Sequence, residues 1–197
     1  MKRTLLSAVV LAGALALAGC SGSEEPTPQD TSTVADPGSG SGESGTHNDA
    51  DVMFAQMMIP HHEQAVEMAD AVLAKDGTNP QVTELATEIK AAQAPEIEQL
   101  AQWLDTWGAE RTSEHAGHAG MSGMMSEEDL RALDAATAPE SDRLFLEQMI
   151  AHHRGALEMA QEEVEQGTDA SAVEMAQTIV ETQSSEIEAM ENLLASM

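Results

Sequence analysis

One stretch of the chain is written twice. Asp51-Val-Met-Phe-Ala-Gln-Met-Met-Ile-Pro-His61-His62-Glu-Gln-Ala-Val-Glu-Met68-Ala69 returns as Asp142-Arg-Leu-Phe-Leu-Glu-Gln-Met-Ile-Ala-His152-His153-Arg-Gly-Ala-Leu-Glu-Met159-Ala160. The offset is 91 residues through Ala69/Ala160 and 90 by Ile89/Ile179, Gln93/Gln183 and Glu96/Glu186, so a turn near Gly77 and Gly167 absorbs the slip. A unit of about fifty residues present only twice cannot build a solenoid, which needs three or more; it suits the two halves of one helical bundle.

Residue usage agrees with helix. There is no Tyr, two Phe and two Trp, while Ala, Glu, Gln, Leu and Met dominate the duplicated part. The pattern predicts helices over about 49–75, 79–107, 140–166 and 169–196. Asn48 or Asp49, Asn79 followed by Pro80, and Asp169 or Ser171 are the expected starts; Gly77, Gly108 and Gly167 are the expected stops. Short turns inside each copy make two antiparallel helix hairpins, repeat 1 over about 49–107 and repeat 2 over about 140–197. The 108–139 connection joins them, with a capped short helix expected from Ser126-Glu-Glu-Asp-Leu-Arg-Ala-Leu.

The apolar spacing puts the histidines inside. Phe54, Met58, His61, Ala65, Met68 and Val72 recur at steps of three and four, and so do Phe145, Met149, His152, Ala156 and Met159, which is the spacing of a core-facing stripe. His62 and His153 fall on the adjoining apolar row. On the second helix of each copy the stripe is broken at Gln93 and Glu96, and at Gln183 and Glu186. Counting outward from each hairpin turn sets His62 level with Gln93 and His153 level with Gln183, so His, Gln and Glu converge at one layer in both halves.

Two chemistries fit such a layer. The structural alternative is a hydrogen-bond network in which Glu and Gln satisfy buried imidazoles. Four histidines in two equivalent settings, each beside methionine, favour a metal or redox site. Neighbouring residues on a helix point about 100° apart, so one member of each pair turns inward and the other serves a neighbouring helix. Imidazole with the thioethers of Met58, Met68, Met149 and Met159 is a soft to borderline donor set suited to copper, Cu(I) above all. Glu96 and Glu186 are ligands or orienting partners. Di-iron bundles carry Glu-x-x-His, and here Met58-Ile-Pro-His61 and Met149-Ile-Ala-His152 stand instead. Pro60 and Pro95 interrupt the first copy only, so the halves are expected to differ in detail, with a bend and an opening in the first. The connection offers a second candidate metal segment, His115, His118, Met121, Met124 and Met125, in a Gly- and Ala-rich setting.

The amino terminus carries a different message. Lys2-Arg3, an apolar run from Leu5 to Leu17 and Leu17-Ala18-Gly19-Cys20 form a secretory signal over 1–19, and the last four residues resemble a bacterial lipobox. That resemblance implies cleavage before Cys20 and a lipid on its thiol. Cys20 is the only cysteine, so no internal disulfide is available. The Ser-, Gly- and Pro-rich stretch over 20–47 has little to bury and reads as a disordered tether. With 8 Lys and Arg against 35 Asp and Glu, the formal charge is −27, which speaks against nucleic acid and anionic lipid surfaces as partners and is compatible with a cation.

Taken together, Met58-Ile-Pro-His-His-Glu-Gln-Ala-Val-Glu-Met-Ala69, Met121-Ser-Gly-Met-Met-Ser126 and Phe145-Leu-Glu-Gln-Met-Ile-Ala-His-His-Arg-Gly-Ala-Leu-Glu-Met-Ala160 closely resemble the DUF305 family of secreted bacterial proteins. The resemblance implies a ferritin-like, all-α fold of repeated helix pairs and a His-His motif falling on His61, His62, His152 and His153. It also implies copper binding outside the cytoplasm, which is associated with some members. Ala151 in place of the first copy's proline, and Arg154-Gly155 in place of Glu63-Gln64, are the departures from symmetry between the copies. The expectation is a lipid-anchored, extracytoplasmic metal-binding protein that sequesters or chaperones copper, more readily a binder than an enzyme. A redox enzyme with a ferritin-like core and a metal-free helical interaction module are the alternatives.

Overall fold

The computed structural model describes residues 46–111 and 122–197. Among them are five helices and no strand: α1 Asp49–Leu73, α2 Pro80–Trp107, α3 Glu127–Ala135, α4 Glu140–Gln166 and α5 Ala170–Ser196. None of these helices is long and apolar enough to cross a membrane. The signal and the tether up to residue 45, with Cys20, lie outside the described residues, as do His115, His118 and Met121.

The helix ends follow from their caps. Asn48 accepts from the Ala50 and Asp51 amides, Asn79 from Gln81, and Asp169 from Ser171 and Ala172; each such cap contributes about 1 kcal/mol. Ser126 and Asp129 form a reciprocal capping box on α3. Gly108 ends α2 in the left-handed conformation at φ 70°, where a side chain would be strained. Neither α1 nor α2 stops at its internal proline. Pro95 is exposed and Pro60 half-buried, so the expected bend does not interrupt the helix.

α1 and α2 form one antiparallel hairpin, α4 and α5 the other, and α1 packs on α4 between them. The two copies run in opposite senses. Asn48, before α1, donates through Nδ2 to the Gln166 carbonyl at the end of α4 at 2.8 Å. Asp51, in the first turn of α1, accepts from the Thr168 and Asp169 amides at 3.0 and 2.9 Å and from the Thr168 hydroxyl at 3.1 Å. Its repeat partner Asp142, in the first turn of α4, accepts from the Asn79 amide at 3.0 Å. Each hairpin therefore latches the turn of the other, as an approximate two-fold axis between α1 and α4 requires. Burial alone would raise the Asp51 carboxyl, but these amides and that of Asn48 outweigh it and hold it below its ordinary value.

The apolar core is divided by the layer through which that axis passes. Phe54, Met58, Leu100, Leu104, Ala160 and Ile179 cluster on one side. Met68, Val72, Ile89, Phe145, Met149 and Met190 cluster on the other, joined by Leu133 of α3. The predicted stripes of α1 and α4 fall in these two clusters, with Met159 only partly buried.

Candidate metal centre

His61 and His62 sit at the middle of α1, His152 and His153 at the middle of α4, and Gln93 and Gln183 at the middle of α2 and α5. All six are buried. Because Asp51 and Asp142 hold the hairpins in opposed register, these midpoints meet in one layer between the two apolar clusters.

Within the layer the two members of each pair part company. His61 and His152 meet across the axis, with ring centroids 3.8 Å apart and planes inclined by 39°. His62 turns to its own hairpin partner, Nε2 lying 2.9 Å from Glu96 Oε2, and His153 does the same with Glu186 at 2.7 Å. A carboxylate oxygen accepts, so Nε2 carries the hydrogen in both, and in the neutral tautomer Nδ1 is left with the free lone pair. Glu96 and Glu186 are half-buried. An open depression of about 390 Å³ between α2 and α5, lined by Glu96, Trp103, Met175 and Thr178, reaches the solvent side of Glu96.

The layer is short of hydrogen-bond partners. Both ring nitrogens of His61 and of His152, Nδ1 of His62 and of His153, and Oε1 of Gln93 and of Gln183 are buried without one. Burial, then the neighbouring His62, push the His61 imidazole down to about 3, against a weaker pull from the Ser122 backbone. Burial and then His61 hold His152 well below the ordinary histidine range. Both rings are therefore neutral at physiological pH and present bare nitrogen lone pairs to the interior.

Met58 and Met149 lie three residues before His61 and His152 on the same helical faces, fully buried. Met68 and Met159 stand seven residues after them, about 10 Å of helical rise away. Met68 is buried in the cluster with Phe145, and Met159 lines an outer groove. Among the described residues no group of three or more His, Cys, Asp or Glu side chains is arranged to hold a metal ion.

The connection reaches this layer from outside. Met125 donates from its amide to Gln64 Oε1 at 2.7 Å and accepts from Gln64 Nε2 at 3.0 Å. Gly123, at φ 80°, lies against the Ala151 and His152 carbonyls, and a Cβ on Gly155 would fall 2.0 Å from the Ser122 carbonyl oxygen. Gln64 and Gly155 occupy the same position in the two copies. The departure from symmetry at this position is thus where the connection docks, with Met124 and Met125 half-buried beside it. Sequence reasoning missed Asp51, Asp142, Gln64 and Gly155. The recurrence of an aspartate at the head of both copies was the available signal.

Residues 51–194 match the DUF305 family, described as a domain of unknown function. No curated protein matches the chain. A solved DUF305 protein from Streptomyces coelicolor is 35% identical, with a TM-score of 0.70 over 75% of this chain and 91% of that one. A DUF305 fragment from Deinococcus radiodurans is 31% identical, with a TM-score of 0.70 over 76% of this chain and 98% of that one. CopM, solved in a Cu(I)-bound form, is 30% identical, with a TM-score of 0.63 over 74% of this chain and 96% of that one; it has also been solved with Cu(II) and with Ag bound.

Proposed function

The chain belongs to the DUF305 family, and from that premise we propose that it is an extracytoplasmic metal-binding protein, held at the membrane by a lipid on Cys20, that takes up copper for sequestration or delivery. The observation that carries this is the His61–His152 pair, tilted rings with centroids 3.8 Å apart and all four ring nitrogens buried and unpartnered. Leaving a buried polar group unsatisfied costs about 1–3 kcal/mol, and a bound ion offsets that cost.

The donor types favour a soft ion. Neutral imidazoles from His61 and His152, with Nδ1 of His62 and His153 as further donors, are joined by the thioethers of Met58 and Met149, and thioether donors select Cu(I) over harder cations. Glu96 and Glu186 orient the outer imidazoles and return their rings to the same tautomer. CopM, a structural relative bound to Cu(I), Cu(II) and Ag in its solved forms, supports the same kind of cargo here. The chain acts in this reading as a binder and not as a catalyst.

The metal-free alternative draws on one observation, the lack of a ready cage of three His, Cys, Asp or Glu among the described residues. Anaerobic titration of the full chain with Cu(I), Cu(II) and Zn(II) against a competing chelator separates the two. The variant lacking His61, His62, His152 and His153 together is expected to lose one tight Cu(I) equivalent while retaining its helical circular dichroism. Undiminished binding by that variant overturns the assignment. Met58→Leu with Met149→Leu, which nearly conserves volume, is expected to narrow the preference for Cu(I) over Zn(II).

A further inference from the structure

The two-fold arrangement creates two equivalent grooves between α1 and α4, one toward each end, and the chain treats them differently. At the end where α1 finishes and α4 begins, α3 fills the groove: Leu133 is buried in the cluster containing Met68, Val72 and Phe145. There Gln148 donates to the Asp129 carbonyl at 3.0 Å and Lys75 to the Asp134 carbonyl at 2.7 Å. At the other end no described helix covers the groove. It leaves an open space of about 200 Å³ whose lining includes Met53, Met57, Met159, Glu162 and Glu163.

The substitutions between the two copies are selective. At the repeat offset of 91, Met53 and Met57 stand where the covered groove has Leu144 and Gln148, while Glu162 and Glu163 stand where it has Ala71 and Val72. Met159 corresponds to Met68, which is fully buried, whereas Met159 is half-buried at the groove wall. A groove that merely lacked a covering helix would be expected to turn polar on both walls, and only the α4 wall does so. This one keeps an apolar floor at Phe54, 4% exposed, and gains two thioethers, one of them on Met53, which is 49% exposed. Met53 and Met57 are one helical turn apart on α1, so their side chains share a face opposite Met159 on α4.

A second observation concerns Glu163. It is 1% exposed, both its carboxyl oxygens are buried without a hydrogen-bond partner, and a Cβ on Gly167 would fall 2.3 Å from one of them. Burial and the adjacent Asp51 carboxylate push it up to about 8, so at neutral pH it keeps its proton against Asp51 as an uncharged wall and leaves the thioethers as the donors facing the groove. Thioethers discriminate among cations: they are poor ligands for magnesium, calcium or the harder transition ions and good ones for d¹⁰ monovalent ions.

We propose that the groove walled by the thioethers of Met53, Met57 and Met159 is a binding site for a soft monovalent cation of the Cu(I) or Ag(I) kind, separate from the histidine layer. The proposal shares with the histidine assignment the idea of a soft-metal cargo but uses none of the same side chains. Its openness to solvent makes it the site of first contact, and the buried layer the site of retention.

Ag(I), which needs no protection from air, is the probe. The full chain carrying ¹³C-methyl methionine and ¹⁵N-histidine is titrated and followed by NMR, with the methyl signals of Met53, Met57 and Met159 assigned through single leucine variants. These three signals are expected to shift together and saturate at one equivalent. In M53L/M57L/M159L the bound Ag(I) is expected to fall by one equivalent with little change in thermal midpoint, since the exchanges nearly conserve volume. Methyl signals unmoved at stoichiometric Ag(I), or an unchanged number of equivalents in the triple variant, would overturn the site. The imidazole signals of His61 and His152 in the same sample report on the layer, so failure of either assignment is seen apart from the other.

Discussion

His61 and Glu163 are the two residues whose chemistry most departs from habit, and they tilt stability in opposite directions with pH. His61, with His152, is neutral when folded, its imidazole pushed down to about 3 from 6.5. Unfolding lets both rings take up protons, so their contribution is complete above 6.5 and is lost as pH falls from there toward 3. Burial, then contact with the Asp51 carboxylate, push Glu163 up from 4.5 to about 8. Its folded form is the better proton binder, so its contribution is complete below 4.5 and fades as pH rises through 8. Two imidazoles outweigh one carboxyl on the acid side, and the metal-free chain should therefore be most stable near the ordinary imidazole pKa. Thermal midpoints recorded across this range should decline on both sides, and Glu163→Gln should flatten only the alkaline decline. A second residue-scale test is Gly155→Ala, whose Cβ would meet the Ser122 carbonyl oxygen at 2.0 Å. Overpacking of this kind costs about 1–3 kcal/mol, and hydrogen exchange at the Met125 amide, held by Gln64, should quicken markedly.

At the scale of elements, the latches decide how firmly the hairpins hold their register. Asp51 gathers two amides and a hydroxyl from the α4–α5 turn, whereas Asp142 takes a single amide from the α1–α2 turn. Hydrogen bonds to a charged acceptor contribute about 1.5–3 kcal/mol, so Asp51→Asn is expected to cost more in denaturant unfolding than Asp142→Asn; equal costs would count against the latch. The helices themselves were legible in the sequence to within two residues at each end, because Asn48, Asn79, Asp169 and Gly108 are caps whose chemistry is local. The inward and outward division of each His-His pair was legible too, since it needs only the 100° step of a helix. The latches were not: an aspartate in a first helical turn looks like a partner for the helix dipole, and only the opposed packing of α1 and α4 brings a foreign turn within its reach. The docking of 122–125 was equally hidden, because Gly155 looks like a weak point in a helix until the carbonyl lying against it is seen.

At the scale of the molecule, attachment and charge belong together. Few basic residues are available for an anionic bilayer, with 8 Lys and Arg in the whole chain, so the proposed attachment would rest on acyl chains at Cys20. Detergent partitioning of the full-length protein should move to the aqueous phase in Cys20→Ala, and an unaltered distribution would remove the lipid from the proposal. The same scale explains why the two ends of the bundle are unlike. An isologous dimer has two identical faces and treats them identically. A chain that holds both protomers in tandem has internalised that symmetry operator, but it possesses one bridge between the copies and not two. That bridge can settle on a single face, as α3 does, and among the described residues no helix is left for its twin. Tandem fusion thus releases one of two equal surfaces from the duty of packing, and sequence change there is free to follow chemistry where its twin is still bound to follow shape.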